Sequence, residues 1–300
     1  MLLAIPALRV LRGEPPGHTL VLAAQPRISR LLEVLGVADR AVDFEGLGLD
    51  ALFQDAPDGL DGQWPARCAD DLRRAGRVIA WIGSREPRFV KRLIALAPGS
   101  IVAPSVSAGH VVWQHLVESV GANPSSDSTI RASLRVPTAL ADEGRRELRH
   151  RHWNGTDRLL FMHPGAGGRG KRWGAEGFAA VLERAADVPH VVVVVHQGPA
   201  DLEAVAALPE RLIARSIVLR EPPLPQLAGM LTHAAAYVGN DSGISHLAAA
   251  VGAPSVVLFG ADQLIWRPWA EHVETLLVSL GTADRDDTER VLTGLTSLLA

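Results

Sequence analysis

Apolar residues follow two alternating patterns along this chain. Short runs of valine, isoleucine and leucine have the length of β-strands, and between them apolar residues recur at helical spacing. In the second half, predicted strands cover residues 159–163, 190–196, 235–239 and 255–259. A predicted helix at 244–251 lies between the last two of these strands. This alternation indicates an α/β protein with mostly parallel sheets.

The first half repeats the alternation less regularly. Its predicted strands and helices cover residues 19–24, 28–35, 77–82, 87–96, 100–102, 110–120 and 129–136. A charged helix at 137–151 suits a link between domains. Two halves of similar size predict domains at 1–152 and 153–300. At the end of the chain, Asp286 and Glu289 have capping-box spacing before a last helix.

Composition excludes several classes of protein. Hydrophobic residues make up 47% and charged residues 21% of the chain, which is typical of folded soluble proteins. The formal charge of −3 creates no field that would favour nucleic acid as a partner. Cys68 is the single cysteine, so neither an internal disulfide nor an all-cysteine metal cluster is possible. We expect a cytoplasmic protein and leave open whether it touches the inner face of the membrane.

A glycine-rich segment at residues 161–173 carries the first candidate chemistry. A predicted strand ends there, glycines allow positive φ and close backbone approach, and a helix follows. Such an elbow directs N–H groups at one spot, where Lys171 and Arg172 add positive charge for a phosphate. The structural alternative is an ordinary strand–helix turn with two solvated cations. This segment alone leaves both interpretations open.

A second elbow at residues 238–254 adds an acid, hydroxyls and an imidazole. Asp241 suits sugar hydroxyls, whereas the backbone amides near Ser242 and Gly243 suit a phosphate. The structural alternative makes Asp241 or Ser242 the N-cap of the helix and packs His246 on the loop. Both interpretations can hold together. Two elbows at the carboxyl ends of strands fit a diphosphate better than either one alone.

Together, the two elbows match a known pattern. The first reads His-Pro-Gly-Ala-Gly-Gly followed by Lys-Arg-Trp, and the second reads Gly-Asn-Asp-Ser-Gly-Ile-Ser-His-Leu-Ala-Ala-Ala. Residues 257–260, the Trp266-Arg267-Pro268 triplet and the apolar residues 4–8 also fit. This pattern resembles glycosyltransferase family 9, the ADP-heptose:lipopolysaccharide heptosyltransferases. The resemblance covers nearly the whole chain, and the second elbow is its most specific part.

The resemblance implies an α/β fold of the GT-B type, with two Rossmann-like domains facing across a cleft. The N-terminal domain would present a glycan or glycolipid acceptor, and the C-terminal domain would hold a nucleotide-sugar donor, ADP-heptose by resemblance. The implied reaction is an inverting, metal-independent sugar transfer in lipopolysaccharide synthesis, with no cofactor.

The resemblance also implies donor-binding residues, with Lys171 matching a donor-contacting lysine and residues 219–224 lying where the base is held. Asp241 would meet the sugar, and His246 would support its loop. The implied donor-binding residues are Gly165, Ala166, Gly167, Lys171, Asp201, Asp241, Ser242, Gly243 and His246.

The chain departs from the family pattern at three places. Ala166 and Gly167 stand where the family often has hydroxyl residues. The position at which the family is expected to have a ribose-binding carboxylate is occupied here by Leu202, between Asp201 and Glu203. The catalytic aspartate of the family would precede Met1, as would the first strand of the N-terminal domain. We therefore assign no catalytic residue and predict that in-frame upstream DNA encodes a strand followed by Gly-Asp.

Other functions remain open at this point. The absent catalytic loop motivates a non-catalytic nucleotide-sugar-binding or scaffold protein. A nicotinamide-dependent oxidoreductase needs a G-x-G-x-x-G spacing that the first elbow does not give in the expected context. His163, His196 and His246 end three different elements, and nothing in the sequence predicts that they converge on a metal.

Overall fold

The computed structural model of the protein describes residues 1–13, 17–53 and 72–300. Cys68 lies outside these described residues. The chain divides into two compact units, Leu3–Ile130 and Arg131–Ala300, with Leu2 grouped with the second. This division precedes the charged helix, whereas the predicted domain boundary follows it, and that boundary stays a prediction. Within the described ranges, no helix is long and apolar enough to cross a bilayer.

The described part of the first unit contains two short parallel strand pairs. Its strands are β1 (Val21–Ala24), β2 (Arg40–Asp43), β3 (Val78–Ala80) and β4 (Ser100–Val102). Its helices are α1 (Ile5–Arg12), α2 (Pro26–Val34), α3 (Pro87–Leu96) and α4 (Val112–Ser119). β1 pairs with β2, and β3 pairs with β4. Phe89 and Leu93 of α3 pack with Leu52 in a small buried core.

The predicted strand at 129–136 is wrong. Ser128–Arg131 forms a short 3-10 turn, and the residues after it form no strand. The Leu134 amide donates to the carbonyl oxygen of Ala250 at 2.7 Å. Its partner is therefore the end of a helix and not a neighbouring strand. The alternation arose because Ile130 and Leu134 are both buried, and a loop can bury side chains without joining a sheet.

The second unit is built on a six-stranded parallel sheet. Its strands are β5 (Arg158–His163), β6 (Val191–Gln197), β7 (Ile217–Arg220), β8 (Ala234–Asn240), β9 (Ser255–Phe259) and β10 (Val273–Leu277). Their spatial order is β10-β9-β8-β5-β6-β7. The chain adds β6 and β7 on one side of β5 and then returns to add β8 on the other side. The strand order therefore reverses between β5 and β8, and ligands of open α/β sheets bind at such a switch point.

Seven helices within residues 131–300 surround this sheet. They are α5 (Thr138–His150), α6 (Ala175–Ala186), α7 (Leu202–Ala206), α8 (Glu210–Ile213), α9 (Leu224–Leu231), α10 (Gly243–Val251) and α11 (Arg285–Leu299). Phe178 of α6 and Val291 of α11 pack on the strands in one buried core. The predicted capping box is wrong, because α11 begins at Arg285. Asp284 is its N-cap, and its carboxylate accepts from the Asp287 amide at 2.8 Å.

Candidate functional site

Both predicted elbows leave the sheet at its switch point. β5 and β8 are neighbours, and His163 at the end of β5 is paired in register with Gly239. The first elbow follows His163, and the second begins at Asn240, the last residue of β8. Parallel strands have their carboxyl ends at the same edge of the sheet, so the two loops emerge side by side. The sheet order places them together although about 70 residues of chain separate them.

Asn240 holds the first elbow to the second. Its side chain is fully buried, and its Nδ2 donates to the carbonyl oxygens of Pro164 at 2.9 Å and Gly165 at 3.3 Å. Its Oδ1 accepts from the Trp173 amide at 2.9 Å. One side chain therefore fixes the glycine loop at both of its ends. The sequence alone does not predict this role, although a buried amide at a strand end must find partners for its nitrogen and its oxygen.

Lys171 and Asp241 join the two elbows by an ion pair. Lys171 Nζ lies 2.7 Å from Asp241 Oδ2, and the two side chains are 37% and 5% exposed. On its other side, Asp241 Oδ1 lies 3.4 Å from His246 Nε2. Lys171 Nζ also lies 5.7 Å from the centre of the Trp266 ring, within cation–π range. We call Lys171, Asp241, His246 and Trp266 the charged cluster.

The Asp241 carboxylate is ionised near neutral pH. Burial raises its pKa, but the hydrogen bonds and charges of His246 and Lys171 outweigh burial and leave the pKa below its usual value. An ionised carboxylate only accepts hydrogen bonds. Lys171 can direct its remaining donors toward a ligand, because its side chain is partly exposed. The charged cluster thus offers an acceptor for a hydroxyl beside a cation for a phosphate.

Ser242 is the N-cap of α10. Its Oγ accepts from the Ser245 amide at 3.2 Å. The capping alternative therefore holds for Ser242, while the Asp241 carboxylate faces Lys171 and His246. At the exposed start of the helix, a Cβ added to Gly243 would meet nothing within 4 Å. The first amides of a helix lack partners within it, and the helix dipole favours an anion there.

The first elbow differs from its predicted form. None of its glycines has a positive φ, so this loop does not use the left-handed conformation that glycine allows. Space requires glycine at Gly165, where an added Cβ would lie 1.8 Å from Asp201 Oδ1. The loop leads into a 3-10 turn at Arg169–Lys171, and α6 begins only at Ala175. Any phosphate at this elbow would therefore rely on loop amides and Lys171 rather than on an α-helix dipole.

The two carboxylates considered for the ribose lie at the start of α7, Asp201 just before the helix and Glu203 in its first turn. Asp201 is buried, and its Oδ2 accepts from the Gly198 amide at 2.7 Å. Glu203 is exposed and pairs with Arg169 at 2.8 Å and Arg172 at 3.0 Å. The geometry gives Asp201 a role in holding the turn. Its contact with a donor stays a prediction.

Two of the three histidines considered for a metal lie together. His163 Nδ1 and His196 Nδ1 are 3.1 Å apart, whereas His246 contacts Asp241. Burial lowers the pKa of His163 to about 4, although the His196 carbonyl opposes this shift, so His163 is neutral at pH 7. The sequence did not predict that His163 and His196 meet. β5 and β6 are neighbours in the sheet, and the sequence did not reveal this.

A small cavity adjoins the segment predicted to hold the base. Its volume is about 150 Å³, and Leu219, Arg220 and Glu221 line it together with Glu147 and Arg151 of α5. It lies beyond the carboxyl end of β7. The position agrees with the base-binding role implied for residues 219–224, which stays a prediction.

Comparison with known proteins shows which family and which relatives this chain resembles. The model of glycosyltransferase family 9 (heptosyltransferase) matches residues 110–293, which include both elbows. Lipopolysaccharide heptosyltransferase 3 from Escherichia coli is 32% identical over 179 residues. That alignment covers 56% of this chain and 50% of the relative. The chain thus spans about half the length of this curated relative.

Solved structures show the same fold along the whole chain. The E. coli ADP-heptose lipopolysaccharide heptosyltransferase II superposes with a TM-score of 0.73 at 20% identity, covering 100% of this chain and 95% of that one. An E. coli heptosyltransferase solved with ADP gives a TM-score of 0.63 at 17% identity, with 99% and 95% covered. These likenesses confirm the predicted α/β fold class. Since the family model matches more than half of the residues, this chain belongs to glycosyltransferase family 9.

Proposed function

We propose that this protein transfers a sugar from a nucleoside-diphosphate sugar to a hydroxyl group of a glycan or glycolipid. The ion pair between Lys171 and Asp241 carries the proposal. In this pair, a cation that could bind phosphate lies 2.7 Å from a carboxylate that could accept hydrogen bonds from sugar hydroxyls, at the switch point of the sheet. A sugar diphosphate presents hydroxyls and phosphates at similarly short separations.

In the proposed reaction, the acceptor oxygen loses its proton to a base and attacks the anomeric carbon of the donor. The bond from that carbon to the diphosphate oxygen breaks, and the electron pair leaves with the diphosphate. Lys171 and the Gly243 amide stabilise the negative charge that develops there. A single displacement inverts the anomeric carbon. These groups supply positive charge to the leaving group, so the transfer step draws on no metal.

The family favours ADP-heptose as donor and a lipopolysaccharide-type acceptor, because the relatives carry these names. Loop amides at Gly165, Ala166 and Gly167 would contact the phosphates. Asp201 would act indirectly by holding Gly165 in place, and the cavity beside Leu219 would hold the base. We place the reaction in the cytoplasm, at the inner face of the membrane where the acceptor is lipid-linked. Family membership does not favour a non-catalytic binding protein.

The donor is tested by thermal shift with ADP-, GDP-, UDP- and dTDP-sugars. We expect ADP-heptose to raise the melting temperature most, because only the correct donor fills the base cavity and the charged cluster together. The matching free nucleotides serve as controls. Stabilisation by none of the sugars would contradict the proposed function, and a preference for another nucleotide would correct the donor.

Lys171 is tested by calorimetry with ADP. Replacing Lys171 by Ala should weaken binding by about 1–3 kcal/mol, since a charge-assisted contact to phosphate is lost in a partly buried site. Lys91→Ala is a matched control, because Lys91 is the only other lysine of the chain and lies exposed in the first unit. Equal affinities for both variants would remove Lys171 from the site.

A further inference from the structure

A second group of chemically active side chains lies behind the first elbow. His163 ends β5, His196 lies near the end of β6, and Asp201 precedes α7. The register pairs Met162 with Val195, so the next residue on each strand stands beside the other on the same face of the sheet. The sheet and the turn after it therefore bring two imidazoles and a carboxylate to one place.

The three groups are buried and close together. His163 is 2% exposed, His196 is 4% exposed and Asp201 is 5% exposed. His163 Nδ1 lies 3.1 Å from His196 Nδ1 and 3.8 Å from Asp201 Oδ2. All three candidate ligand atoms lie within 4.8 Å of one another, and no other described group of three such side chains does this. The two rings meet edge to face, with 4.9 Å between their centres.

We propose that His163, His196 and Asp201 bind one divalent transition-metal ion of the zinc type. Zinc binds imidazole nitrogen and carboxylate oxygen at about 2.0–2.2 Å, which places neighbouring ligand atoms of a tetrahedron about 3.3–3.5 Å apart. The two separations from His163 Nδ1, 3.1 and 3.8 Å, bracket that spacing. Two imidazoles and one carboxylate form a donor set suited to zinc and similar ions.

The proposed ion would have a structural role beneath the donor site. Asp201 Oδ2 already accepts from the Gly198 amide, and Oδ1 of the same carboxylate lies against Gly165. An ion bound to Asp201 would lock the first elbow to the turn before α7. It would therefore position the loop amides without entering the transfer step. The competing interpretation is a simple hydrogen bond between two imidazoles.

The test measures zinc in the full chain. The protein is stripped with EDTA, reloaded with zinc sulfate and gel-filtered, and its zinc is measured by inductively coupled plasma mass spectrometry. We expect one ion per chain. His196→Gln and Asp201→Asn should each weaken binding about tenfold or more, since changes outside the ligand shell of a metal already reduce affinity about 10–100-fold. The control is His190→Gln, whose exposed side chain pairs with Asp157 and should leave zinc binding unchanged.

Circular dichroism establishes that each variant is folded. If a variant fails to fold, cobalt loading of the unaltered protein decides, because tetrahedral nitrogen and oxygen ligation gives visible absorption bands. An unaltered protein that retains no zinc and gives no cobalt spectrum would overturn the proposal. Undiminished zinc in the two folded variants would overturn it equally. ADP titration of the same samples reports separately on the proposed function, because zinc binding can persist when ADP binding fails.

Discussion

Asp241 is held between a lysine and a histidine, and its ionisation links the site to stability. Its pKa lies below the usual value because the hydrogen bonds and charges of His246 and Lys171 outweigh the effect of burial. An aspartate whose pKa is lower in the folded than in the unfolded protein stabilises the fold at pH values above its unfolded pKa, which is about 3.9. That stabilisation disappears as the pH falls through the lower, folded pKa. Acid therefore weakens the link between the elbows.

Asp241→Asn tests whether this carboxylate recognises sugar. The substitution keeps the shape and removes the charge, so we expect an intact fold and a changed ratio of affinities for ADP and ADP-heptose. The stability difference between the unaltered protein and the variant should shrink as the pH falls below about 4. Calorimetry measures both affinities, and urea unfolding measures the stability at each pH.

The control is Asp284→Ala, which removes the N-cap of α11. A lost cap costs about 1 kcal/mol of stability and should leave both affinities unchanged. A purely thermal effect of Asp241→Asn, like that of the control, would contradict a role in sugar recognition.

At the scale of elements, α5 and α9 touch through their backbones. A Cβ added to Gly144 of α5 would lie 2.4 Å from the carbonyl carbon of Gly229, and one added to Gly229 would lie 2.1 Å from the Leu140 carbonyl oxygen. Neither glycine has a positive φ, so space and not backbone conformation requires them. The charged helix that the sequence suggested as a link is thus packed firmly within the second unit.

Gly229→Ala tests this helix contact, because the sign of the change in the free energy of unfolding distinguishes a close contact from an open site. Within a helix, alanine is better than glycine by about 1 kcal/mol, so an open site would be stabilised. We expect a loss of about 1–3 kcal/mol in the free energy of unfolding, because the methyl group forces two backbones apart. Gly170→Ala is the control, since its added Cβ meets nothing within 4 Å. A Gly229→Ala protein as stable as the control in urea would refute the close contact.

At the scale of the whole molecule, the residues of the proposed donor site belong to one unit. Both elbows, the charged cluster and the cavity beside Leu219 lie within Arg131–Ala300. The strand order of the six-stranded sheet brings the two elbows side by side. A nucleoside diphosphate should therefore stabilise the second unit directly.

Hydrogen exchange measured by mass spectrometry tests this localisation. Saturating ADP, at about 100 times its Kd, stabilises the bound form by about 2.7 kcal/mol. We expect slower exchange in peptides covering residues 164–172 and 240–247 and unchanged exchange at 21–43. Lys171→Ala at the same ADP concentration should show less protection. Protection at 21–43 without protection of the elbows would place the nucleotide elsewhere.

Local patterns predicted the elements and the elbows well, and they failed where the outcome depended on neighbours. The strands around residues 159–163 and 235–239 are confirmed because each is a short apolar run with a polar end. The prediction of a strand at 129–136 is wrong. Ile130 and Leu134 are buried, so their spacing resembles the alternation of a strand although they form none. The glycine loop was predicted from its sequence, but the need for glycine at Gly165 comes from Asp201, which packs against it.

The sequence by itself determined the α/β class, the two elbows and the chemical groups that they carry. Periodicity and turn residues act over a few positions, so they can be read without knowing the neighbours. Only the tertiary structure decided that Asn240 joins the elbows, that Lys171 pairs with Asp241 and that His163 meets His196 and Asp201. The physical reason is strand order. Periodicity shows which face of an element is buried, but the order of strands in the sheet decides which side chains meet there.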